Sequence, residues 1–205
     1  MKTRSLIASD MDGVLVDTVG HLKKVGAEHG YRIEYSDHYS LDIYKDGEKV
    51  DYWDPDVTDL FNETFDRYDE IEIFPGAEEF IHKMYELTGQ PFLIVTARPI
   101  SHATETHKLI KRFAKKTPYV VAFADGCDKH RYLSGYKFFI EDRRRTAIDL
   151  VNMGKIVFLI DTVYNQPTEE MTSNKILMEE IIRIDSLEDL IPKAKYYSSH
   201  AGGTF

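Results

Sequence analysis

Two carboxylates one residue apart, Asp10 and Asp12, close an apolar run that starts at Leu6, and Gly13 follows at once. Like charges so close repel each other and gain nothing in a core, so a cation or a reaction has to compensate them. Further polar residues stand in the same setting, at the ends of apolar runs. Thr96-Ala97-Arg98 closes "PFLIV", Lys129 comes shortly after "YVVAFA", and Glu141-Asp142-Arg143 closes "KFFI". A hard, oxygen-bound cation such as Mg²⁺ would relieve the crowded carboxylates.

Five apolar runs must position these residues: "SLIAS" at 5–9, "PFLIVTA" at 91–97, "YVVAFA" at 119–124, "KFFIED" at 137–142 and "KIVFLID" at 155–161. Each reads as a strand buried on both faces. Helical patterns over 76–88, 101–115, 143–152 and 175–182 lie between or after them. Strands alternating with helices predict an α/β fold, a doubly wound parallel sheet with helices on both faces. Ligands of such sheets sit beyond the carboxyl ends of the strands, where the polar residues above gather. Residues 17–75 interrupt the alternation. They are rich in acids and rings, with helices predicted at 17–29 and 56–68, and they read as a small, mostly helical cap. The predicted division is therefore a core of 1–16 and 76–205 and an insert of 17–75.

The chain has 205 residues, 42% of them hydrophobic, enough for a substantial core. A formal net charge of −9 argues against a nucleic-acid polymer as partner, but not against a small anion. No stretch approaches the length of a membrane span, so no membrane partner is expected. The single cysteine, Cys127, and the absence of a secretory pattern before Asp10 lead to the expectation of a cytoplasmic protein. The eight histidines show no zinc-like spacing. The tail "SSHAGGTF" at 198–205 reads as a loose end, and the oligomeric state stays open, with a homodimer among the options.

Taken in order, "DMDGVLVD", "IVTARP", Lys129 and "FFIEDR" resemble the four motifs of the haloacid dehalogenase-like (HAD) phosphohydrolases. Within that superfamily the chain is most similar to the 5'(3')-deoxyribonucleotidases. The added signs are the "DxDGVLxD" opening, "FPGAEEFI" at 74–81, the lysine shortly before the paired acids, and "DTVYNQ" at 161–166. The chain departs from the family pattern in Glu141-Asp142, where paired aspartates are usual, and in Arg98.

The resemblance implies a Rossmann-like core, Mg²⁺ as cofactor and a small phosphomonoester, a nucleoside monophosphate above all, as substrate. It makes Asp10 the nucleophile and Asp12 the acid and base. Thr96, the Ala97 amide and Lys129 become phosphate-binding groups. Asp10, the Asp12 backbone carbonyl and Asp142 become metal ligands, with Glu141 ordering bound water behind them. Apart from the resemblance, cations at 143–145 oppose the dipole of a helix start, and Arg143 is expected to brace Glu141 or Asp142. Arg98 is left to touch substrate or to bridge to the insert. Tyr52, Trp53, Phe61 and Phe65 are the rings that could meet a base, although such rings more often build a small core. Lys137 rivals Lys129 for its role but lies at the start of a strand, the wrong edge. The alternatives are a sugar-phosphate phosphatase or phosphomutase of the same superfamily and, less well matched in motif order, a phospho-accepting receiver domain.

Overall fold

The computed structural model describes residues 6–36, 41–124 and 126–193, so the tail at 198–205 lies outside them. Six parallel strands form the main sheet: β1 (Leu6–Ser9), β5 (Phe92–Thr96), β6 (Tyr119–Phe123), β7 (Tyr136–Glu141), β8 (Ile156–Ile160) and β9 (Ile181–Ile184). Between β1 and β5 the chain makes a second sheet of β2 (Tyr31–Tyr35), β3 (Leu41–Lys45) and β4 (Glu48–Val50). Its helices are α1 (Thr18–Glu28), α2 (Pro55–Asp66), α3 (Ala77–Thr88), α4 (Ala103–Ala114), α5 (Arg144–Asn152), α6 (Glu169–Ser173) and α7 (Lys175–Glu180).

The main sheet runs in the order β6-β5-β1-β7-β8-β9. The chain winds outward from β1 to one side, then returns beside β1 with β7 and winds to the other. That reversal leaves a crevice between the carboxyl ends of β1 and β7, where a doubly wound sheet binds ligands.

Alternation along the strands builds one apolar layer on each face. Ile7, Ile94, Phe138, Ile140 and Phe158 meet Phe80, Ile81 and Met84 of α3 and Leu109, Ile110 and Phe113 of α4. Ala8, Val95, Phe139, Val157 and Leu159 meet Leu150 and Val151 of α5, Met171 of α6 and Leu177 of α7. Two of the expectations for this sheet need correction. The strand β6 is an edge strand rather than one buried on both faces, and its Val120 is half exposed. The apolar residues at 181–182 start a sixth strand instead of ending a helix, because Ile181 and Ile184 fill the remaining edge of β8.

The insert is also more than helical. Helices α1 and α2 are where the sequence places them, capped by Asp17 and Asp54, with Pro55 opening α2. Between them lies the antiparallel sheet β2-β3-β4. Asp46 and Gly47, at φ 53° and 84°, make the two-residue turn from β3 to β4, the left-handed pair that hairpins favour. Ile33 and Ile43 point from this sheet onto Leu22 and Val25 of α1 and Val57 and Leu60 of α2, giving the insert an apolar cluster of its own.

Candidate active site

The carboxyl ends of β1, β5 and β7 bring Asp10, Asp12, Thr96, Glu141 and Asp142 together. Asp10 is fixed from both directions: its backbone N–H donates to Ile140 O at 2.9 Å, and its Oδ1 accepts the Met11 N–H at 2.7 Å. Its Oδ2 takes the ammonium of Lys129, which also donates to Glu141 Oε2 at 3.0 Å. Lys129 sits in the 3₁₀ turn Gly126–Tyr132 after β6, with a side chain 1% exposed, while Lys137 is exposed at the start of β7. A buried lysine between two buried carboxylates acts as their shared counter-ion.

Glu141 faces inward from the last residue of β7. Its Oε1 accepts the backbone N–H groups of Asp142, at 3.2 Å, and Arg143, at 3.1 Å. Arg143 thus supports Glu141 with its backbone N–H. Asp142 is held differently. Its Oδ2 accepts the Tyr164 hydroxyl at 2.6 Å, its carbonyl accepts Asn165 Nδ2 at 2.7 Å, and its Oδ1 is buried with no partner among the described residues.

Asp12 lies on the other side of Asp10 and is engaged throughout. Its Oδ1 accepts Arg98 Nη2 at 2.8 Å, Arg98 Nε at 3.0 Å and the Thr18 hydroxyl; its Oδ2 accepts the Thr96 hydroxyl at 3.0 Å. Thr96 Oγ1 also accepts the Arg98 N–H at 3.2 Å, which leaves the exposed Ala97 between two buried neighbours. The Arg98 side chain is 1% exposed, donates to Thr18 of α1 at 2.9 Å and lies 4.9 Å over the ring of Phe65 in α2. Arg98 thus bridges Asp12 to the insert.

The rings divide in the same way. Tyr52 lines a cavity of about 290 Å³ with Val19, Tyr35, Leu41, Asp142, Arg143 and Tyr164. Trp53 packs edge-on against Tyr52 and is 83% exposed. Phe61 packs against the insert's cluster, and Phe65 is buried under Arg98. Four residues not singled out from the sequence join the site: Thr18, Tyr35, Tyr164 and Asn165. The last two belong to "DTVYNQ", whose position after β8 carries them to the end of β7.

Electrostatics follow from the crowding. Burial pushes the Asp10 carboxyl up to about 8; Lys129 opposes the rise, and Glu141 and Asp12 add to it. Burial also raises Glu141 and Asp142. Asp12 behaves oppositely: burial would raise it, but the Arg98 guanidinium, helped by Thr18 and Thr96, holds it below the usual carboxylate range. Burial would likewise lower Lys129, yet Asp10 and Glu141 outweigh it and keep the ammonium charged. Lys129 contacts Asp10 and Glu141 and Arg98 contacts Asp12, while Asp142 meets neither cation; with all four carboxylates ionised, one divalent ion would balance the cluster.

The donors fit such an ion. Ligand atoms of Asp10, Glu141 and Asp142 can lie within 4.8 Å of one another. Asp10 and Glu141 both have their two oxygens engaged, whereas Asp142 offers an Oδ1 with no partner among the described residues, so Asp142 is the carboxylate of the three readiest to take an ion. All-oxygen donors suit Mg²⁺. Gly13 makes this arrangement possible: at φ 81° a Cβ there would stand 2.5 Å from Asp142 Cγ. The glycine after the paired acids is the space Asp142 occupies.

This architecture has known counterparts among solved structures. A HAD family hydrolase from Deinococcus radiodurans R1, with bound phosphate and sodium, superposes with a TM-score of 0.61 at 14% identity, over 99% of this chain and 100% of that one. The chain has the HAD-like fold. CbbY from Rhodobacter sphaeroides, in complex with phosphate, gives 0.60 at 14% identity over 91% and 96%. A protein assigned as a beta-phosphoglucomutase from Bacteroides vulgatus gives 0.59 at 14% identity over 98% and 93%. No family model matches the sequence, and no curated protein matches it. Among the described residues no helix is long and apolar enough to cross a membrane.

Two predictions follow from the geometry. Gly13→Ala should weaken Mn²⁺ binding by at least ~10-fold in titration calorimetry, because it displaces the Asp142 carboxylate of the candidate cation site. Gly30→Ala has a similar φ of 77° but open space around its Cβ. It should show the backbone strain alone and bind Mn²⁺ normally, and equal effects from both would refute the role given to Gly13.

The second prediction concerns pH. In the cation-free fold Asp10 keeps its proton to about 8, against 3.8 for an ordinary aspartate. Unfolding then releases a proton between those values, so the stability of the cation-free protein falls as pH rises through this window and levels off above it. A bound cation replaces that proton. The gain in thermal midpoint from Mg²⁺ over EDTA should therefore be larger at pH 8 than at pH 5; equal gains would contradict the assignment.

Proposed function

We propose that the chain is a divalent-cation-dependent phosphohydrolase acting on a small phosphomonoester, with Asp10 as nucleophile. One juxtaposition carries this reading: Asp10 is pinned by Lys129 at the crevice between β1 and β7, within ligating reach of Asp142, whose buried Oδ1 has no partner among the described residues. The phosphate held by two of the similarly folded proteins agrees with it.

In this reading Asp10 attacks the phosphorus, the ester oxygen leaves, and the resulting aspartyl-phosphate is hydrolysed, so that one hard displacement becomes two easier ones. Asp12 protonates the leaving oxygen and later draws a proton from the attacking water. The grip of Arg98 favours the ionised form that the second step needs, and it has to loosen for Asp12 to carry the proton it gives in the first. The Ala97 amide and Lys129 bind phosphoryl oxygens, while Thr96, engaged with Asp12, orients it. Mg²⁺, held by Asp10, Asp142 and the Asp12 carbonyl, would supply positive charge against the phosphoryl oxygens. The insert of 17–75 is the lid, and Arg98 ties it to Asp12 instead of touching substrate.

For the leaving group, the comparisons favour a sugar phosphate, since phosphoglucomutase chemistry is named among the neighbours. A nucleoside monophosphate is the second reading, carried by the cavity that Tyr35, Tyr52 and Tyr164 line beside Asp142. Stacking on such rings is typically worth about 1–3 kcal/mol per base.

Phosphate release from a panel of sugar phosphates and nucleoside monophosphates, with Mg²⁺ or EDTA, separates these readings. Turnover should need the cation and disappear in Asp10→Asn. A preference of about ten-fold, or about 1.4 kcal/mol in transition-state binding, assigns the leaving group. Activity that depends on an added bisphosphate marks a mutase. Cation-independent turnover, or full activity in Asp10→Asn, refutes the proposal.

A further inference from the structure

Tyr164 lies in the loop after β8, yet its hydroxyl reaches Asp142, the carboxylate that follows β7. It donates to Asp142 Oδ2 at 2.6 Å, at the short end for such a bond. The other oxygen, Oδ1, is left buried, with no hydrogen-bond partner among the described residues. Asn165 locks the same loop: its Nδ2 donates to Asp142 O at 2.7 Å and to Ile160 O at 2.6 Å, and its Oδ1 accepts the Thr162 N–H at 3.1 Å. The tyrosine is thus delivered to Asp142 by a rigid connection.

Its ring has a partner from the insert. Tyr35, the last residue of β2, stacks on Tyr164 with centroids 4.3 Å apart and planes 27° from parallel. Lys23 of α1 lies 4.3 Å over the Tyr35 ring. A continuous set of contacts therefore runs from the insert through two rings to one carboxylate oxygen.

We infer that Tyr164 is a positioning residue for the Asp142 carboxylate, and that Tyr35, stacked upon it, makes the affinity of the cation site depend on how the insert is seated. The inference rests on the cation reading above. A ligating carboxylate that loses its supporting hydrogen bond loses orientation, and such losses typically weaken metal binding by about 10–100-fold. The coupling is reciprocal: what the insert does for the cation, the cation does for the insert.

The test uses Mn²⁺ alone as probe on the full chain, with free Mn²⁺ followed by electron paramagnetic resonance. Tyr164→Phe keeps the ring and removes the donor, and it should stay folded without the cation and bind Mn²⁺ ~10-fold more weakly than wild type. Tyr35→Ala should weaken binding in the same direction, by less. Because Tyr35 acts through the Tyr164 hydroxyl, the double variant should match Tyr164→Phe; simple addition of the two effects would overturn the link to the insert. Wild-type affinity in Tyr164→Phe would overturn the positioning role. If the wild type itself binds no Mn²⁺, the cation reading falls, an outcome distinct from either. Terbium(III) bound to the wild type gives a check that needs no variant to fold. Tyrosine-sensitised emission is expected, and its absence from the bound ion would contradict a tyrosine against the ligating carboxylate.

Discussion

The structure depends on one electrostatic problem, the packing of Asp10, Glu141 and Asp142 at the ends of two adjacent parallel strands. Parallel pairing of β1 with β7 fixes the backbone so that these side chains cannot spread apart. Lys129 answers part of the charge by bridging Asp10 and Glu141. Asp142 stands apart from that lysine bridge, one oxygen held by Tyr164 and the other without a partner among the described residues. Burying unpaired carboxylate is costly enough that a fold keeps it only where something else arrives to meet it. Gly13 fits the same constraint, because any larger residue would take the space of the Asp142 carboxylate.

The insert is attached at both ends of this cluster. On one side Arg98 joins Asp12 to Thr18 and Phe65; on the other Tyr164 joins Asp142 to Tyr35. Each attachment combines a charged hydrogen bond with a flat contact. Movement of the insert is thus felt at both carboxylates, which is how a lid could commit a substrate and complete the site in one step. The grip on Asp12 also separates the two acids flanking Asp10. One is kept ionised by a guanidinium, while the other has its charge form opposed by burial.

Much of this was legible from residue types and spacing. Four of the apolar runs alternate between the two faces as strands of a doubly wound sheet must, and the polar residues at their carboxyl ends do converge. The failures have physical causes. Asp46-Gly47 is a hairpin signal between "LDIYK" and "EKV", yet the polar and charged residues of those short strands hide the alternation, so the insert reads as helix and loop. The strand β9 has four residues directly after a helix, too short for a period to emerge. Tyr164 could not be read as a neighbour of Asp142, because only the pairing of β7 with β8 brings the two loops together. The two possible uses of Arg98 were visible, but choosing between them required knowing that α1 and α2 lie against it.

The central claim is that Asp10, pinned between Lys129 and the ends of β1 and β7, accepts a phosphoryl group. Mass spectrometry of the protein, acid-quenched during turnover of a phosphomonoester with Mg²⁺ and digested, tests this most directly. The account predicts phosphorylation on the peptide carrying Asp10, lost in Asp10→Asn and on omission of the cation. Turnover with no phosphorylated Asp10, or with the group on another residue, would contradict it.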